Sequence, residues 1–241
     1  AGSPYAIKDY YDIDPDLAED PSARMQEFEA LVTRTHEVGL KVVLDFVPNH
    51  VARQYHSDTA PEGVDDLGAH DNKEMHFSPS NNFYYIPRQA FTPQFYIGEG
   101  EDRYFEYPAK ATGNDCFGAF PGEYDWYETV KLNYGVDYTG GGRCHFDPIP
   151  DTWYKMLDIL LFWCGKGVDA FRCDMAHMVP VEFWNWAISK VKGNYPSVIF
   201  IAEIYDQALY RVYIEKGKFD YLYDKVGLYD KLRGVLCHQV S

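Results

Sequence analysis

Three short strings place ionisable side chains directly after runs of strand-forming apolar residues. They are Asp45-Phe46-Val47-Pro48-Asn49-His50, Phe171-Arg172-Cys173-Asp174 and Ile201-Ala202-Glu203. Arg172 and Asp174 stand two apart, so on a strand their side chains share a face. An arginine beside an aspartate keeps the carboxylate ionised, and an ionised carboxylate is a competent nucleophile. Glu203 follows Ile199, Phe200 and Ile201. Such apolar surroundings predict a raised pKa and a carboxyl that stays protonated. A protonated Glu beside an ionised Asp is the division of labour of retaining glycoside hydrolysis. The competing reading of Arg172 and Asp174 is a structural ion pair at a strand end. Asn49 offers an oxygen to a hard cation such as calcium and His50 a donor to a hydroxyl, or both satisfy the turn that Pro48 starts.

The elements around these strings follow from periodicity. Asp20-Pro21 predicts a helix start, with the acid as cap and proline at the first helical position. Met25, Phe28, Leu31, Val32 and Thr35 follow at helical spacing, and Gly39 supplies the stop. Leu40 to Phe46 reads as a buried parallel strand. Trp153, Met156, Leu157, Leu160 and Leu161 mark a helix from Asp151 to near Gly165 or Gly167. Then come a strand at Val168 to Arg172, a helix from Pro180 to Val191, a strand at Val198 to Ala202, a helix from Tyr205 to Lys216 and a strand at Phe219 to Tyr223. This alternation predicts an α/β fold with a parallel sheet.

Residues 51–148 differ in character. They are rich in Tyr, Phe, Pro, Gly, Asn and Asp and lack helical periodicity, which predicts an irregular inserted domain rather than a loop. A few antiparallel strands are expected in it, around Phe83 to Ile86 and Phe95 to Ile97. The organisation is thus a barrel segment over 1–50, the insertion over 51–148 and the barrel segment continued over 149–241.

The 241 residues suffice for one sizeable core. Lys and Arg total 22 against 37 Asp and Glu, a net charge of −15 that disfavours a nucleic-acid partner and suits a neutral substrate. The 21 Tyr and 5 Trp pair apolar faces with polar tips, as sugar rings do, although core packing accounts for most of them. Cys116, Cys144, Cys164, Cys173 and Cys237 form no CxxC pair, so no zinc or redox motif is indicated. No run is long enough to span a membrane. The opening Ala1-Gly2-Ser3-Pro4 reads as an internal cut.

Taken together, the strings resemble the α-amylase family of retaining glycoside hydrolases and transglycosylases. Its first motif is matched by Asp45 to His50, its second by Ala170-Phe171-Arg172-Cys173-Asp174 apart from a leading glycine, and its third by Glu203. Pro4-Tyr5 through Asp9-Tyr10-Tyr11 is similar to the segment after the family's second barrel strand. The resemblance implies a partial (β/α)8 TIM barrel, roughly strands 3 to 6, with the insertion as domain B. It implies Asp174 as nucleophile, Glu203 as general acid/base and Arg172 as the residue orienting the nucleophile. Tyr5 and His50 would hold the reacting sugar of an oligo- or polysaccharide.

The match departs in three places. Relatives carry a Pro-Asp-Leu-Asn-like string whose Asp binds calcium with the first-motif Asn, here Asn49; the corresponding string is Val130-Lys131-Leu132-Asn133, and Lys131 sets a positive charge where a cation would sit. Relatives often have Lys then His three and four residues after the nucleophile, whereas this chain has His177 then Met178; His177 is still expected to face substrate. Nothing after Tyr223-Asp224 matches the fourth motif with its third acid. A fragment of a longer enzyme, itself inactive and prone to self-association through exposed barrel edges, is therefore expected. The competing readings are a non-catalytic carbohydrate-binding or assembly protein on the same scaffold, and an unrelated barrel, for which a phosphate-binding glycine loop is missing.

Overall fold

The computed structural model describes residues 3–95 and 104–237. The strands in chain order are β1 (Val43–Phe46), β2 (His50–Ala52), β3 (Tyr85–Ile86), β4 (Ala109–Lys110), β5 (Thr129–Lys131), β6 (Val136–Asp137), β7 (Arg143–Cys144), β8 (Ala170–Cys173), β9 (Ile199–Ala202) and β10 (Tyr221–Leu222). The α-helices are α1 (Arg24–Glu37), α2 (Asp151–Gly165), α3 (Val181–Asn194), α4 (Tyr210–Glu215) and α5 (Asp230–Leu236). These form two compact units: residues up to Glu27 with Asn49–Ile159, and Phe28–Pro48 with the chain from Leu160 onward. Among the described residues no helix is long and apolar enough to cross a membrane.

The second unit is built on a four-stranded parallel sheet in the order β1-β8-β9-β10. Its register pairs Asp45 with Arg172 and Phe46 with Cys173, then Arg172 with Ile201 and Cys173 with Ala202. The ladder continues one residue further, through Asp174 N–H to Phe46 O at 2.9 Å and Glu203 N–H to Cys173 O at 3.0 Å. Both acids therefore stand at the C-terminal ends of neighbouring strands. Strand alternation sends Phe171, Cys173, Phe200 and Ala202, all fully buried, to one face. Phe46 on that face packs on Trp184 of helix α3, with ring centroids 6.4 Å apart, and α3 buries Phe183, Trp184, Ala187, Ile188 and Val191, the stripe its 3.6-residue period requires. Phe171 packs on Phe200 with ring centroids 5.5 Å apart. Each such side chain contributes about 1.5–3 kcal/mol through burial. The opposite face carries Asp45, Arg172 and Ile201 and is only partly covered, with Val43 and Ile199 exposed.

The elements agree in type with those read from the sequence, and differ at their ends. A 3-10 turn, Pro21–Ala23, precedes α1; Asp20 caps it by accepting from Ser22 N–H at 2.9 Å, and Glu27 reaches back to Asp20 N–H at 2.8 Å. Gly39 ends the helix region at φ +77°, a value that favours glycine. The strand expected from Leu40 begins only at Val43, because the Asp169 carboxylate takes the Val42 N–H at 2.9 Å and ties the approach to the strand through a side chain. The helix expected over Tyr205 to Lys216 is a 3-10 turn, Gln207–Leu209, followed by α4.

Among the described residues, the strands of the first unit form three small antiparallel pairs, β2 with β5, β3 with β4 and β6 with β7. The strand expected near Phe83 to Ile86 is β3, with Phe83 bridging Leu132. Of the strand expected at Phe95 to Ile97, Phe95 is not in a strand and the rest lies outside the described residues. One buried ion pair organises the interior: Arg53 Nη1 meets Glu106 at 2.7 Å, donates to Lys110 O at 3.2 Å, and its guanidinium lies 3.8 Å from the Phe91 ring centre.

The sheet's dependence on its helix-covered face is open to test. Phe171→Ala is expected to lower the stability of the second unit by about 3–5 kcal/mol, read as an earlier urea midpoint in tryptophan fluorescence. An unchanged midpoint would show that Phe171 is not a core residue.

Candidate active site

Arg172 sits on β8 between β1 and β9 and is the centre of the strand-end cluster. Its Nη1 donates to Asp45 at 2.9 Å and to Asp174 at 2.8 Å. Its Nη2 meets Glu203 Oε2 at 2.8 Å and donates to the Tyr223 hydroxyl at 2.7 Å, and its Nε donates to the same hydroxyl at 3.0 Å. The whole fork of the guanidinium is thus engaged, by three carboxylates and one phenol. Burial works against its charge, but Asp45, Tyr223 and Glu203 outweigh that and raise its pKa.

Asp174 and Glu203 are both buried and lie within hydrogen-bonding reach of each other. Burial first, and then the neighbouring Glu203, push the Asp174 carboxyl up to about 7, against the pull of Arg172. Glu203 goes the other way. Burial favours its neutral form, but the Tyr205 hydroxyl, the Met175 N–H, Asp174 and Arg172 together lower its pKa. This corrects the expectation that apolar neighbours raise it. Ile199, Phe200 and Ile201 adjoin Glu203 in sequence, whereas its carboxylate points into a ring of donors: Tyr205 Oη at 2.5 Å, Met175 N at 2.9 Å and Arg172 Nη2 at 2.8 Å. The shifts run in opposite directions, so Asp174 is the side that binds a proton more readily. Two like-charged groups in contact titrate as one system, and one cation does not neutralise three acids.

The chain after β8 is shaped to serve Glu203. Met175 adopts φ +45°, a left-handed conformation uncommon outside glycine. It sends two successive N–H groups to one residue, Met175 N to the Glu203 carboxylate and Ala176 N to the Glu203 carbonyl at 3.0 Å. His177 follows in a 3-10 turn, its ring centre 6.2 Å from that of Tyr205. Its buried Nδ1 has no hydrogen-bond partner among the described residues.

Tyr5, Asn49 and His50 belong to the first unit. His50 is buried, with its ring 5.2 Å from the Trp126 ring centre and hydrogen-bonded to the Tyr5 backbone. Burial, and then Lys131, hold its pKa down at about 4, so it is a neutral donor–acceptor at physiological pH. Tyr5 is exposed. The structure therefore brings Arg172, Asp174, Glu203 and His177 together in one unit, and Tyr5, Asn49 and His50 together in the other. Sequence reasoning missed Tyr205 and Tyr223. Tyr223 follows the next parallel strand, so the strand-end rule that found Glu203 points to it as well. Tyr205 stands two residues beyond Glu203 and carried no separate signal.

The residues around Asn49 do not fit a calcium ion. The Lys131 ammonium donates to Asn49 Oδ1 at 2.7 Å and pairs with Asp115 at 2.7 Å. The Asn49 amide nitrogen is used by Gly113 O at 2.8 Å. Lys131 is 2% exposed, and burial lowers its pKa against the opposing pull of Asp115. The oxygens that would ligate a metal already surround a cation built into the chain. Among the described residues, no group of three or more His, Cys, Asp or Glu side chains is placed to hold a metal. Calcium or a chelator is accordingly expected to leave the unfolding temperature unchanged. Lys131→Ala, which orphans the buried Asn49 oxygen, is expected to lower stability by roughly 1–3 kcal/mol. A calcium-dependent rise in the unfolding temperature of the unmodified chain would overturn this assignment.

The family profile described as "Alpha amylase, catalytic domain" matches residues 2–111. This span includes Tyr5, Asn49 and His50, whereas Arg172, Asp174 and Glu203 lie beyond it. An alpha-1,4-glucan:maltose-1-phosphate maltosyltransferase from Cereibacter sphaeroides is 36% identical over 107 residues, 42% of this chain and 18% of that protein. One from Rhodospirillum rubrum is 44% identical over 55 residues, 23% of this chain and 8% of that protein. In fold, an alpha-amylase from Lactobacillus plantarum covers 100% of this chain and 44% of its own, at a TM-score of 0.57 and 24% identity. A maltogenic amylase from S. marinus covers 98% of this chain and 31% of its own, at a TM-score of 0.58 and 20% identity. The chain thus spans less than half the length of these relatives, and its open parallel sheet is a segment of a (β/α) barrel. Sequence similarity to α-amylase catalytic domains thus lies at the start of the chain, and the likeness in fold extends over its whole length.

Proposed function

We propose that this chain carries the acid pair of a retaining glycosidase or transglycosidase acting on α-glucans or maltooligosaccharides. The observation that carries the reading is the placement of Asp174 and Glu203 at adjacent parallel strand ends, joined by one arginine. Asp174 Oδ attacks the anomeric carbon as the bond to the leaving oxygen breaks, and Glu203 gives that oxygen its proton. Glu203 then takes a proton from water, or from an acceptor sugar hydroxyl, which displaces Asp174 and restores the pair. A retaining pair works at about 5–5.5 Å separation, so a sugar entering between these hydrogen-bonded carboxyls parts them. The proton they share must finish on Glu203, leaving Asp174 ionised beside Arg172. His50, neutral and anchored, and Tyr5, exposed, would hold the sugar, with His177 also facing it. Residues 51–148 would form the inserted domain.

No residue after Tyr223 matches the family's third acid, so the isolated chain is expected to release no glucose from maltooligosaccharides. In the longest form of the protein that contains it, Asp174→Ala and Glu203→Gln should each reduce turnover by about 10²–10⁴-fold or more. Full activity in either variant would refute the assigned roles. Among the described residues, strands β1 and β10 each pair on one side only. The isolated chain is therefore also expected to associate through these edges, and a monodisperse monomer by light scattering would refute that.

A further inference from the structure

Tyr205 is bonded to the acid/base candidate yet half-exposed. Its hydroxyl donates to Glu203 Oε1 at 2.5 Å while 39% of the residue remains accessible. The other carboxylate oxygen, Oε2, is held by backbone and by Arg172, at 2.9 and 2.8 Å. The two oxygens are therefore held differently. The donors to Oε2 are fixed by a strand end and a tight turn, whereas the donor to Oε1 is a side chain at the surface. The ionisable and charged groups around this arrangement are Asp174 and Arg172, with Asp45 behind Arg172, then Tyr223, His177 beside the Tyr205 ring and Lys225 with Nζ 5.5 Å from its centre.

We propose that Tyr205 is a positioning residue that controls where the proton shared by Asp174 and Glu203 resides. While the Tyr205 hydroxyl donates to Oε1, it occupies a lone pair and stabilises Glu203 as the carboxylate, so the proton stays on Asp174. When Tyr205 turns away, Glu203 loses the phenol's hydrogen bond and becomes the better base. The proton then passes from the Asp174 oxygen to Glu203. Asp174 becomes the anion held by Arg172, Glu203 becomes the neutral acid, and the pair's total charge is unchanged. A ligand that displaces the phenol from Oε1 would by the same act convert the resting pair to the form able to attack and to protonate. The inference rests on the glycosidase reading for its consequence in turnover, but not for the protonation itself.

The test is a titration without substrate. The chain is labelled with ¹³C at the Asp and Glu side-chain carboxyls, and the Glu203 resonance, assigned with Glu203→Gln, is followed against pH. In Tyr205→Phe the Glu203 midpoint is expected to rise by about one pH unit, the scale of one lost hydrogen bond to a charged group. Tyr221→Phe, which removes an exposed hydroxyl from β10, is expected to leave it in place. A Glu203 resonance that titrates identically in Tyr205→Phe and the unmodified chain overturns the proposal. The second measurement is the pH dependence of kcat/KM in an active, longer form. With maltooligosaccharides, whose leaving group needs a proton, the alkaline limb should move up with the midpoint. With a maltosyl fluoride, which needs none, it should not. A moved midpoint with an unmoved limb keeps Tyr205's hold on Glu203 and refutes Glu203 as the general acid, separating the two readings.

Discussion

One guanidinium in a fixed strand register holds the second unit's chemistry together. Arg172 reaches Asp45, Asp174 and Glu203 because β1, β8 and β9 place these residues at or just beyond the same level of the sheet. Strand register has a strict parity: a slip of one residue sends a side chain to the opposite face. A slip of β8 would thus put Arg172 beside Phe46 and Phe200 and bring Phe171 to the open face. The apolar packing on α3 and the polar cluster on the other face are therefore not independent. The first excludes the slipped register, and the second exists only in the correct one. Arginine suits the position because its planar fork meets several acceptors at once, which a lysine ammonium on a flexible stem does less well.

The first unit handles buried charge by the same rule with different partners. Arg53 is paired with Glu106 and carbonyl oxygens, and Lys131 with Asp115 and Asn49. In an acidic chain, cations buried this deeply persist only because acceptors surround them, since an unpaired buried charge costs several kcal/mol or more. Lys131 shows how far this goes. A lysine in place of an aspartate reverses the local charge, and the oxygens that remain solvate an ammonium instead. The Lys131 side chain on β5 thereby ties Asn49 to the Asp115 turn through one hydrogen bond and one ion pair.

The parts of this arrangement that were legible in sequence are those set by local pattern. Apolar runs closed by Asp45, Asp174 and Glu203 announced strand ends, and Asp20-Pro21 and Gly39 announced the limits of a helix. Long-range hydrogen bonding was not legible. Asp169 shortens β1 from another strand's entry, and Asp71 orders Asn82, Phe83 and Tyr85 through their N–H and hydroxyl groups. The strands of the first unit are two or three residues long because such side-chain bonds, rather than ladders, define them. The charge state of Glu203 was misjudged for a related reason. Ile199 and Ile201 share the strand face of Glu203, but its carboxylate is met by donors from elsewhere, the Met175 N–H, Arg172 and the Tyr205 hydroxyl, which the apolar run does not announce.

The donors around Glu203 raise a question of energetics that bears on how the pair works. A carboxylate that accepts from a backbone N–H, an arginine and a phenol is stabilised as the anion, yet the general-acid role proposed for Glu203 requires the neutral form. Mutual repulsion with Asp174 does not resolve the conflict, because it favours a proton on the pair without choosing its position. The position of the proton depends on which carboxyl has the better donors, and Met175, at a backbone conformation unusual for its residue type, adds to those on Glu203. The resting site is thus organised for the opposite of the reacting state. Only interactions that strengthen in the transition state accelerate a reaction, so the free energy to reverse this arrangement has to come from substrate binding elsewhere. Arg172 makes the reversal feasible. It touches both carboxyls, so it stabilises the anion on whichever side the proton leaves, and the strands that hold it need not move.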